Sequence, residues 1–349
     1  MSGTSLDGLD IALCEFEFAK KWNFKIEKAT TIQYSDYWIS QLSNAHQLSG
    51  FDLTNLNKEF GRFIGTSVKE FLNNLNTTVD FIASHGHTIF HQPEKQLTLQ
   101  IGDGAEISAI TNIKTVSDFR TLDVALGGQG APLVPIGDEL LFSDYDYCIN
   151  IGGFANISFK KDNDRFAYDI CPANITLNYF AQKLNKEFDK DGLLGQKGKV
   201  NKDLLKALNE IDYYNLNYPK SLGREWINST FTPLTLNSNI SLSDTMSTLY
   251  EHISEQISKS INNNQAKVLI TGGGAYNKYL IKLIKEKTTS EIITPTEEII
   301  EYKEALIFAF LGLLRINGQI NTLASVTGAK RDSSGGIIFL NQANKTTRL

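Results

Sequence analysis

The sequence predicts a two-domain protein of the α/β class. Its 349 residues exceed the roughly 250 to 300 at which a single hydrophobic core stops growing, so two cores are expected. Segments with alternating apolar and polar side chains predict half-buried strands, and segments whose apolar side chains recur every three or four residues predict amphipathic helices. Strands that alternate with helices along a chain indicate an α/β architecture.

The first half of the chain opens with a sheet. Residues 15–18 and 22–27 alternate between apolar and polar side chains, which predicts two strands. Apolar residues recur at three- and four-residue spacing across residues 53–72, which predicts an amphipathic helix. A further strand is expected over residues 80–84.

The second half begins with a predicted hairpin. An apolar strand over residues 147–151 leads through Gly152 and Gly153 into the alternating residues 154–159. Further on, residues 267–270 form a short apolar strand that ends in a glycine-rich turn, and a helix is expected from Asn277 onward.

Residues 123–135 hold the densest run of chain-breaking residues, with three glycines and two prolines. Such a run is typical of a hinge between domains. We therefore expect an N-terminal domain over residues 1–130 and a C-terminal domain over residues 131–349, whose last segment could pack back on the first domain.

Composition and charge exclude several classes of function. A net charge of −5 with mixed signs offers no basic stripe for nucleic acid or an anionic membrane, so the expected partner is a small molecule. No segment approaches the ~18 apolar residues that a membrane span needs. The three cysteines lack CxxC spacing, so neither a disulfide framework nor a zinc site is expected. The first residues do not resemble a secretory signal, which favours a cytoplasmic location.

Two glycine-containing loops, residues 2–8 and 150–153, are candidates for binding phosphate. Backbone N–H groups can converge on phosphate oxygens only where small side chains leave room. Neither loop matches the GxxxxGK[ST] or GxGxxG patterns, and either one alone could be a simple hairpin turn. One such loop in each half predicts a nucleotide held between two similar domains, with Mg²⁺ bound through phosphates, water and a nearby carboxylate, for which Asp7 is the candidate.

The glycine triplet Gly272, Gly273 and Gly274 follows a predicted strand and precedes a predicted helix. Without side chains the backbone can approach a flat ligand closely, which favours an adenosine site. The alternative is a loose loop between the strand and the helix.

Asp169 lies among apolar neighbours just before a helix that is expected from about Ala173. Partial burial would raise the pKa of its carboxyl group and make it a usable general base. The alternative is an aspartate that supports the start of the helix or is simply solvated.

Other polar residues each admit two interpretations. His85, His87 and His91 have a spacing open to metal ligands, but no cysteine or carboxylate accompanies them, so hydrogen bonding at a strand end is favoured. Arg120 could clamp an acidic substrate or form a structural ion pair with a nearby carboxylate. Glu304 lies at the start of a long apolar helix, and the favoured interpretation is that its negative charge complements the helix dipole.

About eleven motifs together resemble the anhydro-N-acetylmuramic acid kinase family across nearly the whole chain. In chain order they are MSGTSLDGLD, SHGHTIFHQP, LQIGDG, DFRTLDVALGGQGAPLVP, INIGGFANISF, YDICPAN, FDKDG, PKSLGREW, ITGGGAYN, EALIFAFLG and SVTGA. The resemblance implies a fold of the actin/Hsp70/sugar kinase superfamily, with two RNase H-like domains around an ATP cleft. It also implies a homodimer.

The implied reaction consumes ATP and water. It opens the 1,6-anhydro bridge of 1,6-anhydro-N-acetylmuramic acid and phosphorylates O6, giving N-acetylmuramic acid 6-phosphate and ADP in peptidoglycan recycling. Asp169 would take the proton from the water that attacks the anomeric carbon. The substrate pocket would draw on His87, Arg120 and Glu304, with Arg120 suited to the lactyl carboxylate.

The resemblance also implies which residues bind the ATP–Mg²⁺ complex. The phosphates would be contacted by Gly3, Thr4, Ser5, Leu6, Asp7 and Gly8 in one domain and by Asn150, Gly152 and Gly153 in the other, with Gly272, Gly273 and Gly274 near adenosine. Asp7 would act on Mg²⁺ indirectly.

The chain departs from the family pattern at two places. The family's DTGPGN motif, usually followed by another aspartate, is here Asp169-Ile170-Cys171-Pro172-Ala173-Asn174, with Asn178 at the later position. The family also has an apolar strand ahead of the SGTSLDG loop, where this chain has only Met1. We therefore expect unpaired strand edges, with weaker stability and ATP affinity.

Both departures keep two alternatives open. Because of the altered turn, one alternative is a kinase for another anhydro or amino sugar. Because of the shortened first sheet, the other alternative is a non-catalytic nucleotide or sugar sensor.

Overall fold

The computed structural model describes residues 1–340 apart from residues 4, 74, 76, 237, 238 and 264. The chain divides into two compact units, the first made of Met1–Leu141 and the chain from Tyr302 onward, the second of Phe142–Glu301. None of the helices in the described ranges is both long enough and apolar enough to cross a membrane.

The strands and helices alternate as the α/β prediction requires. The strands are β1 Gly8–Phe18, β2 Trp22–Gln33, β3 Ile82–Ser84, β4 His87–Gln92, β5 Leu97–Ile101, β6 Thr115–Ser117, β7 Tyr147–Ile151, β8 Phe154–Lys161, β9 Asp164–Pro172, β10 Lys267–Thr271, β11 Glu291–Ile293 and β12 Ile337–Phe339. The helices are α1 Asp36–Asn44, α2 Gly50–Asn73, α3 Gly104–Thr111, α4 Thr121–Ala125, α5 Pro135–Leu141, α6 Asn174–Lys183, α7 Lys202–Asn209, α8 Arg224–Trp226, α9 Thr232–Thr235, α10 Leu242–Ser260, α11 Lys278–Lys287, α12 Glu297–Ile316 and α13 Ala324–Thr327. The α/β class is confirmed.

The second unit contains one five-stranded sheet. Its strand order is β11-β10-β7-β8-β9, in which β8 pairs antiparallel with both β7 and β9, and β10 and β11 run parallel to β7. Three consecutive antiparallel strands followed by two parallel ones form the sheet of an RNase H-like domain. The predicted hairpin over residues 147–159 is confirmed as β7 and β8, and the predicted strand over residues 267–270 as β10.

The strands of the first unit fall into separate ladders. β1 and β2 form an antiparallel hairpin, β3 pairs in parallel with β6, β12 pairs antiparallel with β6, and β4 pairs with β5. The predicted amphipathic helix is confirmed as α2, whose buried Phe60 and Ile64 pack in one core with Leu9 and Ile11 of β1. This core fixes the hairpin against the helix.

The glycine-rich segment of residues 123–135 lies inside the first unit. Buried Asp123 accepts hydrogen bonds from the Gly130 N–H at 2.7 Å and from the Thr327 hydroxyl at 2.7 Å. Beyond this segment, Gly137 of α5 packs against Ile307 in the same unit. The units therefore divide after Leu141 instead of at residue 130, because buried side chains hold the segment and α5 to the first unit.

We predict that Asp123→Ala lowers the free energy of unfolding by about 1–3 kcal/mol, because a buried N–H and a buried hydroxyl lose their acceptor. Thermal denaturation followed by circular dichroism measures the effect. Asp80→Ala is the control, because Asp80 is exposed. Equal melting temperatures for the two variants would contradict the assigned role of Asp123.

Candidate functional site

Two glycine turns of the second unit lie in contact with each other. β10 pairs with β7 so that Thr271 lies opposite Asn150, which places Gly272 beside the β7–β8 turn. A Cβ atom on Gly272 would lie 2.5 Å from the Asn150 side-chain oxygen, and a Cβ on Gly274 would collide with the Ile151 side chain. Gly272 also has φ of +78°, a conformation that favours glycine. The loops predicted to hold phosphate and adenosine are thus neighbours.

Asn174 joins the same cluster. Its side-chain N–H donates to the Ile151 carbonyl at 3.2 Å, and its backbone N–H donates to the Gly152 carbonyl at 3.1 Å. The N–H groups of Ala173 and Ile175 both donate to the Gly153 carbonyl, at 2.8 and 3.1 Å. The start of α6 is therefore fastened to the Gly152–Gly153 turn. Asn174 lies in the YDICPAN motif, but the sequence alone does not predict a role for its side chain.

Asp169 lies in β9, four residues before this fastened turn. Its side chain is half-buried, and desolvation raises the pKa of its carboxyl group above the ordinary value, while a hydrogen bond of 2.9 Å from the Leu222 N–H opposes the shift. The cap position of α6 is Ala173, without a side-chain capping bond. The alternative of an aspartate that caps this helix is therefore not supported, and a carboxyl group with a raised pKa suits a general base.

A loop that contains Lys220 and Leu222 positions Asp169. The Asp169 N–H donates to the Lys220 carbonyl at 3.2 Å, and the Tyr213 hydroxyl donates to the Asp169 carbonyl at 2.5 Å. The Lys220 ammonium in turn donates to the Tyr213 carbonyl at 3.1 Å and lies 4.7 Å from the centre of the Tyr213 ring. The contacts of Asp169 with Tyr213, Lys220 and Leu222 do not follow from the sequence pattern, because they join residues more than forty positions apart.

In the first unit, Arg120 is held by His85. Its Nε and Nη2 atoms lie 3.0 and 2.9 Å from His85 Nε2, and Nη1 donates to the Gly130 carbonyl at 2.7 Å. Burial, and next the charge of Arg120, hold the pKa of His85 well below its usual range, so a neutral imidazole accepts from the guanidinium. Burial lowers the pKa of Arg120 to about 10, and the negative charge of exposed Glu304 opposes that shift. Arg120 and Glu304 therefore interact electrostatically.

The three histidines of the HxHxxxH pattern have separate partners. His85 contacts Arg120, whereas His87 is buried with its Nδ1 atom 2.8 Å from the Ser2 hydroxyl. His91 lies 3.2 Å from the Thr98 hydroxyl. Within the described part of the chain, no group of three or more His, Cys, Asp or Glu side chains is arranged for a metal. The hydrogen-bonding interpretation fits these contacts, and burial lowers the pKa of His87 to about 4.

The loop of residues 2–8 is partly described. The exposed Ser5 hydroxyl donates to Asp7 at 2.7 Å, and Leu6 has a positive φ of +59°. Gly3 precedes them, while the predicted contact Thr4 lies outside the described residues. Gly8 is buried at the start of β1, opposite Gln33, and so belongs to the hairpin.

A half-buried carboxyl group with a raised pKa, in the same RNase H-like unit as two abutting glycine turns, is compatible with a nucleotide-dependent phosphotransferase of the sugar kinase class. The chain belongs to the anhydro-N-acetylmuramic acid kinase family, because the model of that family matches residues 1–341. Such a kinase uses ATP and a sugar.

Known relatives agree with the family assignment. The anhydro-N-acetylmuramic acid kinase of Clostridioides difficile (strain 630) is 36% identical over 362 aligned residues, covering 95% of this chain and 94% of the relative. The enzyme of the same name from Vibrio cholerae serotype O1 is 35% identical, with 97% and 96% covered. A solved activator of 2-hydroxyisocaproyl-CoA dehydratase from Clostridium difficile, with bound ADPNP, matches 60% of this chain and 82% of that chain at 15% identity. Its TM-score of 0.35 is too low to define the fold.

We predict that Gly272→Ala weakens ATP binding at least tenfold, because the added Cβ displaces the Asn150 side chain and strains a backbone conformation that costs about 1–3 kcal/mol without glycine. Isothermal titration calorimetry measures the affinity.

Gly127→Ala is the matched control, because Gly127 also has a positive φ of +85° but has open space around a Cβ. It should lower stability and leave ATP affinity unchanged. An unchanged affinity in Gly272→Ala would show that the contact between the two turns does not shape the nucleotide site.

Proposed function

We propose that this protein opens the 1,6-anhydro bridge of 1,6-anhydro-N-acetylmuramic acid and phosphorylates O6 with ATP, giving N-acetylmuramic acid 6-phosphate and ADP in peptidoglycan recycling. The observation that carries the proposal is the half-buried carboxyl group of Asp169, whose pKa is raised by desolvation. Relatives of 32–36% identity bear the name of this kinase.

In the proposed reaction Asp169 acts as the general base. Its carboxylate takes a proton from a water molecule, and the water oxygen forms a bond to the anomeric carbon. The bond from that carbon to O6 breaks, and O6 attacks the γ-phosphorus of ATP as ADP departs. The Leu222 N–H holds one oxygen of Asp169 at 2.9 Å, which supports a fixed orientation of the base.

We propose that the backbone of the abutting glycine turns in the second unit contacts the phosphates and adenosine through Asn150, Gly152, Gly153 and residues 272–274. Asn174 is added to this set because it donates to Ile151 next to the same turn. In the first unit the proposed phosphate contacts are those of the loop of residues 3–8, including Thr4. In-line positioning and charge neutralisation then promote transfer of the phosphoryl group.

The N-terminal loop fits an indirect role with Mg²⁺. Asp7 offers an exposed carboxylate, bonded to the Ser5 hydroxyl at 2.7 Å. Oxygen ligands of this kind, together with phosphates and waters, are what Mg²⁺ prefers in kinases. When bound, the ion would neutralise charge on the phosphates.

The proposed sugar contacts are Arg120, His87 and Glu304. Arg120 is a half-buried cation held by His85 and the Gly130 carbonyl, which supports a fixed guanidinium that faces the lactyl carboxylate. His87 is held by Ser2 and stays neutral near pH 7 because burial lowers its pKa to about 4. A homodimer and a cytoplasmic location remain predictions.

The altered residues of the DICPAN turn are directed into the core. Ile170 is 2% exposed, and Cys171 and Ala173 are fully buried, whereas Asp169 and Asn174 keep part of their surface exposed. These three side chains, which differ from the family pattern, are therefore packed in the core, and Asp169 and Asn174, which match it, remain partly accessible; Asn178, which also differs, is half-buried on α6. This supports the family's substrate over another anhydro or amino sugar, and the retained base supports a kinase over a sensor.

We predict that Asp169→Asn reduces the rate of ADP release at least about a hundredfold, because general base catalysis contributes 10²–10⁴. A coupled assay with 1,6-anhydro-N-acetylmuramic acid, ATP and Mg²⁺ measures the rate. Asn keeps an oxygen that can accept from Leu222, so ATP affinity should be retained. Asp164→Asn, exposed on the same strand, is the control, and equal rates for the two variants would remove Asp169 from its role.

We predict that kcat/KM falls as the pH is lowered through the pKa of Asp169, because the protonated carboxyl group cannot accept the proton from water. Desolvation raises this pKa, so the acid limb should have its midpoint above the ordinary value of 3.8. ATP affinity measured across the same pH range separates loss of catalysis from loss of binding. A midpoint at or below 3.8 would contradict a desolvated base.

A further inference from the structure

Asp189 is a buried carboxylate of the second unit that the proposed reaction does not use. It lies in the FDKDG motif, on the segment between α6 and α7, and is 5% exposed. One of its oxygens accepts from the Leu194 N–H at 2.8 Å. The other accepts from the Gly195 N–H at 2.9 Å and from the Tyr250 hydroxyl at 3.0 Å. Because a buried charge is costly unless it is hydrogen-bonded, these three donors fix where the carboxylate lies.

The Tyr250 hydroxyl joins Asp189 to Asn277. Tyr250 lies on α10 and is fully buried. Burial, and next the charge of Asp189, raise the pKa of its phenol well above the usual range, so the hydroxyl keeps the proton that it donates to Asp189. The oxygen of the same hydroxyl accepts from the Asn277 side-chain N–H at 2.7 Å. A single hydroxyl therefore bonds to both side chains.

Asn277 carries this link to the glycine turn that follows β10. Its side-chain oxygen accepts from the Leu280 N–H at 3.1 Å and so caps α11. Its backbone N–H donates to the Gly274 carbonyl at 3.1 Å, and the Ala275 N–H donates to the Gly272 carbonyl at 2.9 Å. Asn277 therefore holds both the start of α11 and the end of the glycine turn.

The loop of residues 188–195 also packs closely against the same partners. Gly192 has φ of +74°, and a Cβ atom on it would lie 2.7 Å from the Asn277 side-chain oxygen and 2.5 Å from the Tyr279 Cβ. A Cβ on Gly195 would collide with the Tyr250 ring. The loop, α10 and the start of α11 are therefore close-packed where the hydrogen bonds join them.

We propose that Asp189 is a positioning residue for the nucleotide, acting through Tyr250 and Asn277 on the turn of residues 272–277. This inference rests on the proposed role of the glycines of that turn at adenosine. An anchored Asn277 holds the backbone of the turn in one arrangement, so less conformational freedom is lost when ATP binds. Loss of the link would loosen the nucleotide site and leave the proposed base and sugar contacts in place.

Tyr250→Phe tests the link, because it removes the hydroxyl and keeps the ring. The Asn277 N–H then stays buried without its acceptor. The KM and the dissociation constant for ATP should rise about tenfold, while kcat at saturating ATP and the KM for 1,6-anhydro-N-acetylmuramic acid change less than about twofold. The coupled assay of ADP release gives the kinetic constants, and isothermal titration calorimetry gives the affinity for ATP.

Thr248→Val is the matched control on the same helix. Thr248 is also fully buried, and its hydroxyl accepts from the Asn201 N–H at 2.9 Å and donates to the Asp244 carbonyl at 2.7 Å. This variant loses a buried hydroxyl with two bonds, as Tyr250→Phe does, but the bonds lead to other partners. It should lower the melting temperature, measured by circular dichroism, and leave the KM for ATP unchanged.

Asp189→Asn tests the other end of the link. Its amide group cannot accept from both Leu194 and Gly195, so the KM for ATP should rise here too. Because both changes act through one hydroxyl, the double variant with Tyr250→Phe should raise the KM for ATP no more than the larger single change. If Asp189→Asn does not fold, Tyr250→Phe and its control decide the question.

The outcomes separate this inference from the proposed function. An unchanged KM for ATP in Tyr250→Phe, with ATP binding still weakened in Gly272→Ala, would overturn the role of Asp189 and leave the kinase in place. Effects that multiply in the double variant would overturn the route through Tyr250. Absence of both turnover and ATP binding in the unaltered protein would remove the proposed function, and this inference with it.

Discussion

The parallel pairing of β10 with β7 is the constraint on which the candidate site depends. It sets Thr271 opposite Asn150, so the turns that follow both strands emerge at the same edge of the sheet. Contact between Gly272 and Asn150 then leaves no room for a side chain at Gly272. Any residue with a Cβ there would separate the loops proposed to hold the nucleotide. Strand register therefore decides how the two turns of the proposed nucleotide site lie against each other.

Strand pairing also positions Asp169, the proposed base. Asp169 lies on β9, at the far side of the β7–β8 hairpin, and its strand runs into the turn where Ala173 and Asn174 donate to Gly153 and Gly152. The loop with Lys220 and Leu222 then fixes the Asp169 backbone and one carboxylate oxygen. Ile170, Cys171 and Ala173 of this turn are buried, so these departures from the family motif pack in the core while Asp169 and Asn174 keep part of their surface exposed.

The sequence was informative where structure follows from local pattern. Alternation predicted the β7–β8 hairpin, and the period of apolar residues predicted α2, because both depend on which face of an element is buried. Contacts between residues far apart in sequence were beyond such reasoning. The bonds from Leu222 to Asp169 and from Arg120 to His85 join different elements, and no local pattern predicts them. The division of the units after Leu141 differs from the expected boundary at residue 130 for the same reason. Asp123 accepts a hydrogen bond from Thr327, which lies about 200 residues further along the chain.

The central claim is that one reaction adds water to the anomeric carbon and transfers the γ-phosphoryl group to O6. Turnover in ¹⁸O-labelled water, with mass spectrometry of promptly quenched product, tests it most directly. The account predicts label at the anomeric hydroxyl, unlabelled phosphate, and one ADP for each sugar phosphorylated. Label in inorganic phosphate, with the sugar unchanged, would mean that water attacks ATP instead, and would contradict the account.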